Sequence, residues 1–459
     1  MSSRSDSRQP RVLYLSFFFP PSRASGVYRL RATANYLVNN GWDVTAYAAP
    51  LSFLNNVLGS VDESLATTVD PRIHVERPSL RVFPWERDLR QFSRFRAHFP
   101  TVARKAYRWG QENIFPEPYR SWGSSALAHA LRAHSRRRFD VVLATGNPYS
   151  AFAAAYMFNR LTGVPYVLDY RDSWTLDVFA DAPAYPPAHP SWAWEKRAIG
   201  RAGGIAFVNE ALRDWHARQY PASADRMMVV PNGWDADVLD PAGGSTPASH
   251  RGPLRFSYLG TVTNSQPVEE MATAFRMARK NPDLSDAQLN VYGHLGFFRH
   301  SAGSVLQRLG LEPTPGWGPS DPLSDAESGI HFRGPVSKTQ VAKVYDDSDV
   351  LVFLAGGSKY VTSGKIFEYM ATGRPIVSVH APGIAAREIL RTYPLWFTAD
   401  SLDPAEIADT MVAAGHAARS MTPQQRAAAQ AAAQAFNREA VLQPLEQRLR
   451  ELAEGRGQR

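Results

Sequence analysis

Residues 350–379 read VLVFLAGGSKYVTSGKIFEYMATGRPIVSV. Two apolar runs, VLVFLA and PIVSV, enclose a loop of small residues and a helical stretch. Apolar runs that do not alternate are strands buried on both faces, which belong to parallel sheets, and parallel neighbours are joined by a crossover helix. The stretch is therefore strand, loop, helix, turn, strand. Ser363 suits an N-cap, Gly373 the left-handed position after the last turn, and Pro375 forbids continuation, so the helix is predicted from near Gly364 to Gly373.

The same alternation recurs along the chain. Residues 12–18 (VLYLSFF) form a strand ended by Pro20-Pro21, and the loop SRASG leads into a helix with Leu30, Ala34, Leu37 and Val38 on one side. Gly41 stops that helix and VTAYAA begins the next strand, one βαβ unit with a right-handed crossover. Strands follow at VVLA after Asp140, at 166–169, 205–208 and 227–230, then at 256–259 and 289–292. Pro231-Asn232-Gly233 is a turn signal. At 459 residues the chain is long enough for two cores, and DPAGGSTPASHRGP reads as a linker between them. The expected organisation is a disordered arm over 1–10, an N-terminal α/β domain over 11–240, a linker over 241–253, a C-terminal α/β domain over 254–420 and a C-terminal helix over 421–459. Residues 50–120 are irregular, with arginines between aromatics. They read either as helices packing aromatics inward or as an amphipathic element facing a membrane or an acceptor. Residues 297–329, rich in Gly, Pro and Ser, read as an inserted loop.

Lys365 and Glu368 fall three apart on one face of the first helical turn. A small-residue loop ending at a helix start, with a lysine beside it, suits a phosphate, and the carboxylate one turn on can accept from vicinal sugar hydroxyls. The plain alternative is a surface ion pair. Gly26 lies where the first strand's loop enters its helix, a place where open α/β sheets bind ligands, or is simply a turn glycine. Of Arg29 and Arg31 beside it, one or both read as solvated. The strand 166–169 runs straight into DYRDSW, which puts Asp169, Arg171, Asp172 and Trp174 at the C-terminal edge of the sheet, as site groups or as a salt-bridged loop.

The chain has no cysteine, which excludes disulfides and thiolate chemistry. No histidine spacing matches a metal site and no P-loop is present. No apolar run is long enough to span a bilayer and MSSRSDSRQP has no signal-peptide core, so a cytoplasmic protein is expected. Of the net charge of +8, residues 1–240 carry 29 basic and 22 acidic groups, and 72–138 alone carry 15 against 5. That excess is a solvated face or a surface for an anionic membrane or lipid phosphate; no module accompanies it that would read nucleic acid.

K-I-F-E-Y-M-A-T-G-R-P-I resembles the donor-binding signature of GT4-type (group 1) glycosyltransferases, in the branch with S-x-K-x-x-E-Y-M-A. The resemblance implies the GT-B fold: two Rossmann-like domains facing a central cleft, with the last helix crossing back to the N-terminal domain. It implies that Glu368 holds the ribose of a nucleotide sugar and that Ser363, Gly364 and Lys365 meet its phosphate. Gly26, Gly260, Thr261 and Gly293 join the donor-binding positions, the middle two because FSYLGT matches the family's Y-x-G strand and loop. V-P-N-G resembles the V-x-N-G that closes the N-terminal domain. Asp169 and Asp172 become candidate catalytic partners of the acceptor hydroxyl, with Arg171 binding the acceptor. Two departures stand out: Tyr360 occupies the position of a second glutamate, and TVTNSQPVEEM after Gly260 lacks the usual arginine and lysine.

The activity so implied is sugar transfer from a nucleotide-diphosphate sugar to a hydroxyl, with retention, needing no metal or other cofactor. The acceptor is expected to be lipid-linked, in cell-envelope or exopolysaccharide synthesis, with peripheral membrane contact through the basic N-terminal half and no nucleic-acid partner. A nucleotide-sugar 2-epimerase, a transferase acting on a soluble acceptor and a non-catalytic GT-B subunit remain the alternatives.

Overall fold

The computed structural model describes residues 8–24, 26–59, 61–85, 90, 92–236, 239, 252–296 and 302–457. Most of the expected arm and linker, residues 1–7 and 240–251, lies outside these. The chain divides into two compact units, Met1–Pro231 with Leu442–Arg459, and Asn232–Val441.

The first unit is built on strands β1 (Arg11–Leu15), β2 (Asp43–Tyr47), β3 (His74–Glu76), β4 (Val141–Gly146) and β5 (Tyr166–Tyr170). A short antiparallel ribbon of β6 (Leu176–Asp177) and β7 (Ala182–Pro183) follows, then β8 (Gly204–Phe207) and β9 (Met227–Val229). The main sheet has the order β3-β2-β1-β4-β5-β8-β9, parallel throughout. Its central strands are buried on both faces, with Val12, Leu13, Val142, Leu143, Val167 and Leu168 at 0% exposure, as non-alternating runs require. Strand order reverses between β1 and β4.

The second unit repeats the plan with β10 (Arg255–Leu259), β11 (Gln288–Tyr292), β12 (Leu323–Asp325), β13 (Ile330–Gly334), β14 (Val350–Ala355), β15 (Ile376–His380) and β16 (Trp396–Thr398). The order is β12-β13-β11-β10-β14-β15-β16, and β12 alone is antiparallel. The reversal falls between β10 and β14. One face of the sheet packs Val268–Ala278 and Pro404–Ser420, and the other packs Lys365–Ala371 and Pro423–Ala433, giving two apolar cores.

The helix Arg438–Gly457 carries the chain back into the first unit. There the Trp42 indole N–H donates to Glu446 Oε1 at 2.9 Å, and Arg448 Nε donates to the Gly203 carbonyl at 2.8 Å. Before that return the chain is clamped to itself inside the second unit. Arg438 pairs with Asp235 at 2.9 Å, and its backbone N–H meets the Trp234 carbonyl.

Two expectations change. Residues 302–329 are not plain loop: Ala302–Leu309 is a helix whose Val305, Leu306 and Leu309 are fully buried, and β12 pairs with β13. Its short apolar period was hidden among Gly, Pro and Ser. In residues 50–120 the aromatics divide, since Trp85 packs on Phe53 and Tyr119 and Phe115 on Trp174, whereas Phe95, Phe99 and Trp109 face solvent.

Candidate active site

Helix Lys365–Ala371 follows β14, and Gly260-Thr261 ends β10, so both flank the strand-order reversal where open α/β sheets take ligands. The helix begins one residue later than expected, with Gly364 at the cap; the Ser363 hydroxyl accepts from the Lys365 N–H at 3.3 Å. Gly373 takes the left-handed conformation at φ +69°. At seven residues the helix is short, so the formal charge of Lys365 outweighs the backbone dipole there.

Lys365 Nζ lies 2.9 Å from Glu368 Oε2, and the Tyr345 hydroxyl donates to the same oxygen at 2.6 Å. Tyr345, 1% exposed, comes from the helix Lys338–Asp346, and two donors on one oxygen fix the plane of the carboxylate. The pair itself stays accessible, with side chains 31% and 15% exposed. Tyr369 ties the helix to the sheet, its hydroxyl accepting from the Leu259 N–H at 3.0 Å and donating to the Leu259 carbonyl at 3.3 Å.

The loop after β10 is held close. A Cβ on Gly293 would lie 1.9 Å from the Gly260 carbonyl oxygen, so only glycine, at φ +128°, lets these two strand ends approach. Arg308, from the helix Ala302–Leu309, donates to the Asn264 and Gln266 carbonyls at 3.0 and 2.6 Å. Asn232 donates to the Thr362 carbonyl at 3.1 Å, fastening the P-N-G turn to the loop before Ser363. Tyr360 is 2% exposed, with the Lys359 ammonium 5.0 Å from its ring centre.

In the first unit the corresponding edge is built differently. Arg29 meets Asp169 in a bidentate pair, Nη2 to Oδ1 at 2.7 Å and Nε to Oδ2 at 3.2 Å, while its Nη1 donates to the Pro231 carbonyl at 2.8 Å. Thr145 on β4 donates to Asp169 Oδ2 at 3.2 Å. Arg29 and Arg31, one or both of which the sequence reads as solvated, are instead both buried, at 3% and 1% exposed. Arg171 spans the two loops at the reversal: it donates to the Gly146 and Asn147 carbonyls at 3.1 and 2.8 Å, and covers Gly26 so closely that a Cβ there would sit 1.3 Å from Nη1. A side chain at Gly26 would push the Arg171 guanidinium aside. Asp172 points outward and is exposed, and Trp174 is buried against Tyr149 with rings stacked at 4.9 Å. Glu117 accepts the Tyr149 and Ser150 backbone N–H groups at 2.7 and 2.6 Å; burial pushes its pKa up to about 7, against the pull of those two donors.

Two family models divide most of the chain between them, a glycosyl transferase 4-like domain over residues 26–233 and glycosyl transferases group 1 over residues 254–414. The second spans the Lys365–Glu368 cluster. The chain is a GT-B glycosyltransferase. No curated protein matches it in sequence. Among solved structures, the transferase is similar to sucrose-phosphate synthase from Thermosynechococcus elongatus, with TM-score 0.61, 14% identity, and 97% and 100% of the two chains covered. It is similar to Anabaena HepE in complex with UDP and glucose, with TM-score 0.59, 14% identity and 96% and 100% coverage. A UDP-forming trehalose-phosphate synthase from Burkholderia xenovorans gives TM-score 0.58, 14% identity and 97% and 99% coverage. At such identities the likeness is one of fold.

The sequence-named residues of the transferase therefore fall into two groups. Ser363, Gly364, Lys365 and Glu368 share one end of β14, with Gly260, Thr261 and Gly293 on the neighbouring strand ends. Gly26, Arg171 and Asp172 share the other unit's edge, while Asp169 is withdrawn beneath it. Tyr345, Arg29, Thr145 and Glu117 were not singled out for a site, because each acts through a partner at least 20 residues away. Among the described residues, no group of three or more Asp, Glu and His side chains is placed to hold a metal ion.

Proposed function

We propose that this glycosyltransferase moves a sugar, with retention of configuration, from a nucleoside-diphosphate donor to a hydroxyl on a lipid-linked intermediate of cell-envelope or exopolysaccharide synthesis. The observation that carries the donor half is the Lys365–Glu368–Tyr345 cluster: an accessible cation and a carboxylate of fixed plane at a strand-order reversal. Glu368 accepts from the ribose hydroxyls. The Lys365 ammonium meets the diphosphate together with the amides and hydroxyl of 363–365. As the bond from the anomeric carbon to the phosphate oxygen breaks, its electron pair leaves with the diphosphate, and Lys365 stabilises that charge. The acceptor oxygen forms the new bond at the same carbon and passes its proton to the departing diphosphate oxygen.

Asp172, exposed at the end of β5, is the acceptor-side carboxylate in this reading, and Arg171 binds the acceptor. Asp169 acts one layer below as a positioning residue for the loops, since its oxygens are engaged by Arg29 and Thr145. No metal or other cofactor is assigned, and the place of action is the cytoplasm at the membrane face. The reading draws support from Anabaena HepE, a protein of this fold whose solved structures hold UDP and glucose or UDP-glucose.

Thermal shift with UDP-, GDP-, dTDP- and CMP-sugars tests it, because a ligand of the native state raises the melting temperature. A shift with one nucleotide that Glu368→Ala removes is expected, together with nucleotide release that depends on added acceptor. Absence of any shift, or release independent of Lys365, overturns the assignment.

A further inference from the structure

Helix Pro100–Asn113 has two apolar strips rather than one. Ala103 and Gly110 are buried and Tyr107 stacks on Phe83 at 5.1 Å, so positions 103, 107 and 110 face the body of the first unit. Positions 99, 102, 106 and 109 recur at the same helical spacing on a neighbouring strip. There Phe99, Val102 and Trp109 are 57%, 53% and 57% exposed. Phe95, in the preceding helix Arg94–His98, is 52% exposed. Of the eleven large apolar side chains exposed among the described residues, five lie between positions 95 and 114. Single exposed apolar residues are ordinary, but a concentration of them on one strip marks an interaction surface.

Charge accompanies the strip. Residues 90–111 contain Arg90, Arg94, Arg96, Arg104, Lys105 and Arg108 and not one carboxylate. Arg104, Lys105 and Arg108 are exposed, and Lys105, three after Val102 and four before Trp109, borders the apolar strip. Arg96 holds the shorter helix in place: its guanidinium lies 3.8 Å from the Phe83 ring centre and 3.6 Å from that of Phe92, and Nη2 donates to the Phe83 carbonyl at 2.8 Å.

We propose that this strip docks on an anionic lipid bilayer, with Phe95, Phe99, Val102 and Trp109 entering the headgroup boundary and Lys105 at its border on the lipid phosphates. A protein partner would have to offer an apolar groove and a row of carboxylates together. A bilayer carrying acidic headgroups presents hydrocarbon and negative charge to the same helix at once. Lysine and arginine stems reach from the apolar boundary to the phosphates without burying their charge. The inference rests on the lipid-linked acceptor of the proposed function for its purpose alone, not for its chemistry.

The test uses the full chain without donor or acceptor, so that its failure is separate from failure of the transferase reading, which the nucleotide thermal shift reports. The chain is sedimented with phosphatidylcholine vesicles, with and without phosphatidylglycerol. Binding only to the anionic vesicles is expected, released as salt screens the headgroups. Phe99→Ser with Trp109→Ser should lower the bound fraction about tenfold while leaving the nucleotide-induced thermal shift unchanged. The chain has no cysteine, so Phe99→Cys provides a single attachment point for a polarity-sensitive dye. Its emission should shift to the blue on anionic vesicles, and a dye on Leu161→Cys, exposed elsewhere in the first unit, should not respond. No sedimentation at low salt, binding indifferent to the double substitution, or a concentration-dependent dimer that the double substitution abolishes would each overturn the proposal.

Discussion

Each unit places a cation beside a carboxylate near the reversal of its strand order, and the two pairs differ in burial. Arg29 and Asp169 have side chains 3% and 1% exposed, and the guanidinium is also engaged by a backbone carbonyl. Lys365 and Glu368 are 31% and 15% exposed. A sealed pair, fully hydrogen-bonded, holds loops in place, and removing one member strands a charge in a poor solvent. A partly exposed pair contributes little to stability and can exchange partners with a ligand. The difference teaches that a carboxylate at the C-terminal edge of a parallel strand is not yet a reactive group; what covers it decides.

The largest effect that would break this contrast lies in the sealed pair. Asp169→Ala should destabilise the first unit by about 3–5 kcal/mol, by leaving Arg29 buried and unpaired. Denaturant unfolding measures the loss, and a stable, well-folded variant would mean the pair is not sealed. Next comes Lys365→Ala, expected to lower kcat about 10²–10³-fold while moving the melting temperature little, since its charge serves the departing diphosphate. Steady-state kinetics beside a thermal melt separates the two, and normal turnover would remove Lys365 from the site.

A smaller effect concerns pH. Glu117 ionises at about 7 in the folded unit, against an ordinary value of 4.5 when unfolded. The folded state therefore holds the proton more tightly. This contribution to stability is complete below about pH 4.5 and is lost as pH rises through about 7, a change on the order of 3 kcal/mol. Unfolding of the wild type and Glu117→Gln across that window should show the decline in the first and its absence from the second. The smallest expected change is from Tyr345→Phe, which removes one donor to Glu368 worth about 1 kcal/mol, raising the donor KM several-fold with kcat nearly unchanged. An equal effect on a donor analogue lacking the ribose hydroxyls would show that Tyr345 does not act through Glu368.

Much of this architecture was legible because parallel strands announce themselves. Runs such as VVLA and VLVFLA cannot be one-faced, and the Gly and Pro residues between them mark where each crossover starts and stops. Lys365 and Glu368 were legible too, because their relation is local, three residues along one turn. What stayed hidden is long-range. Nothing near Arg29 says that it is buried, since its carboxylate lies 140 positions on. Tyr345 belongs to a different helix from the carboxylate it holds, and Glu117 reaches a helix start 32 residues away. The helix Ala302–Leu309 was missed for another reason: eight residues among glycines and prolines give too short a period to read.

The return of residues 442–457 to the first unit also orders how the protein is made. A ribosome that has delivered residues 1–441 has supplied the whole of the second unit but an unfinished first one. In that nascent chain the Trp42 indole, 1% exposed in the finished fold, still lacks its Glu446 acceptor, and the Gly203 carbonyl lacks Arg448. The unit synthesised first is therefore the one completed last, and a polypeptide stalled short of residue 446 leaves an open seam at Asn40, Trp42 and Gly203 for chaperones to cover.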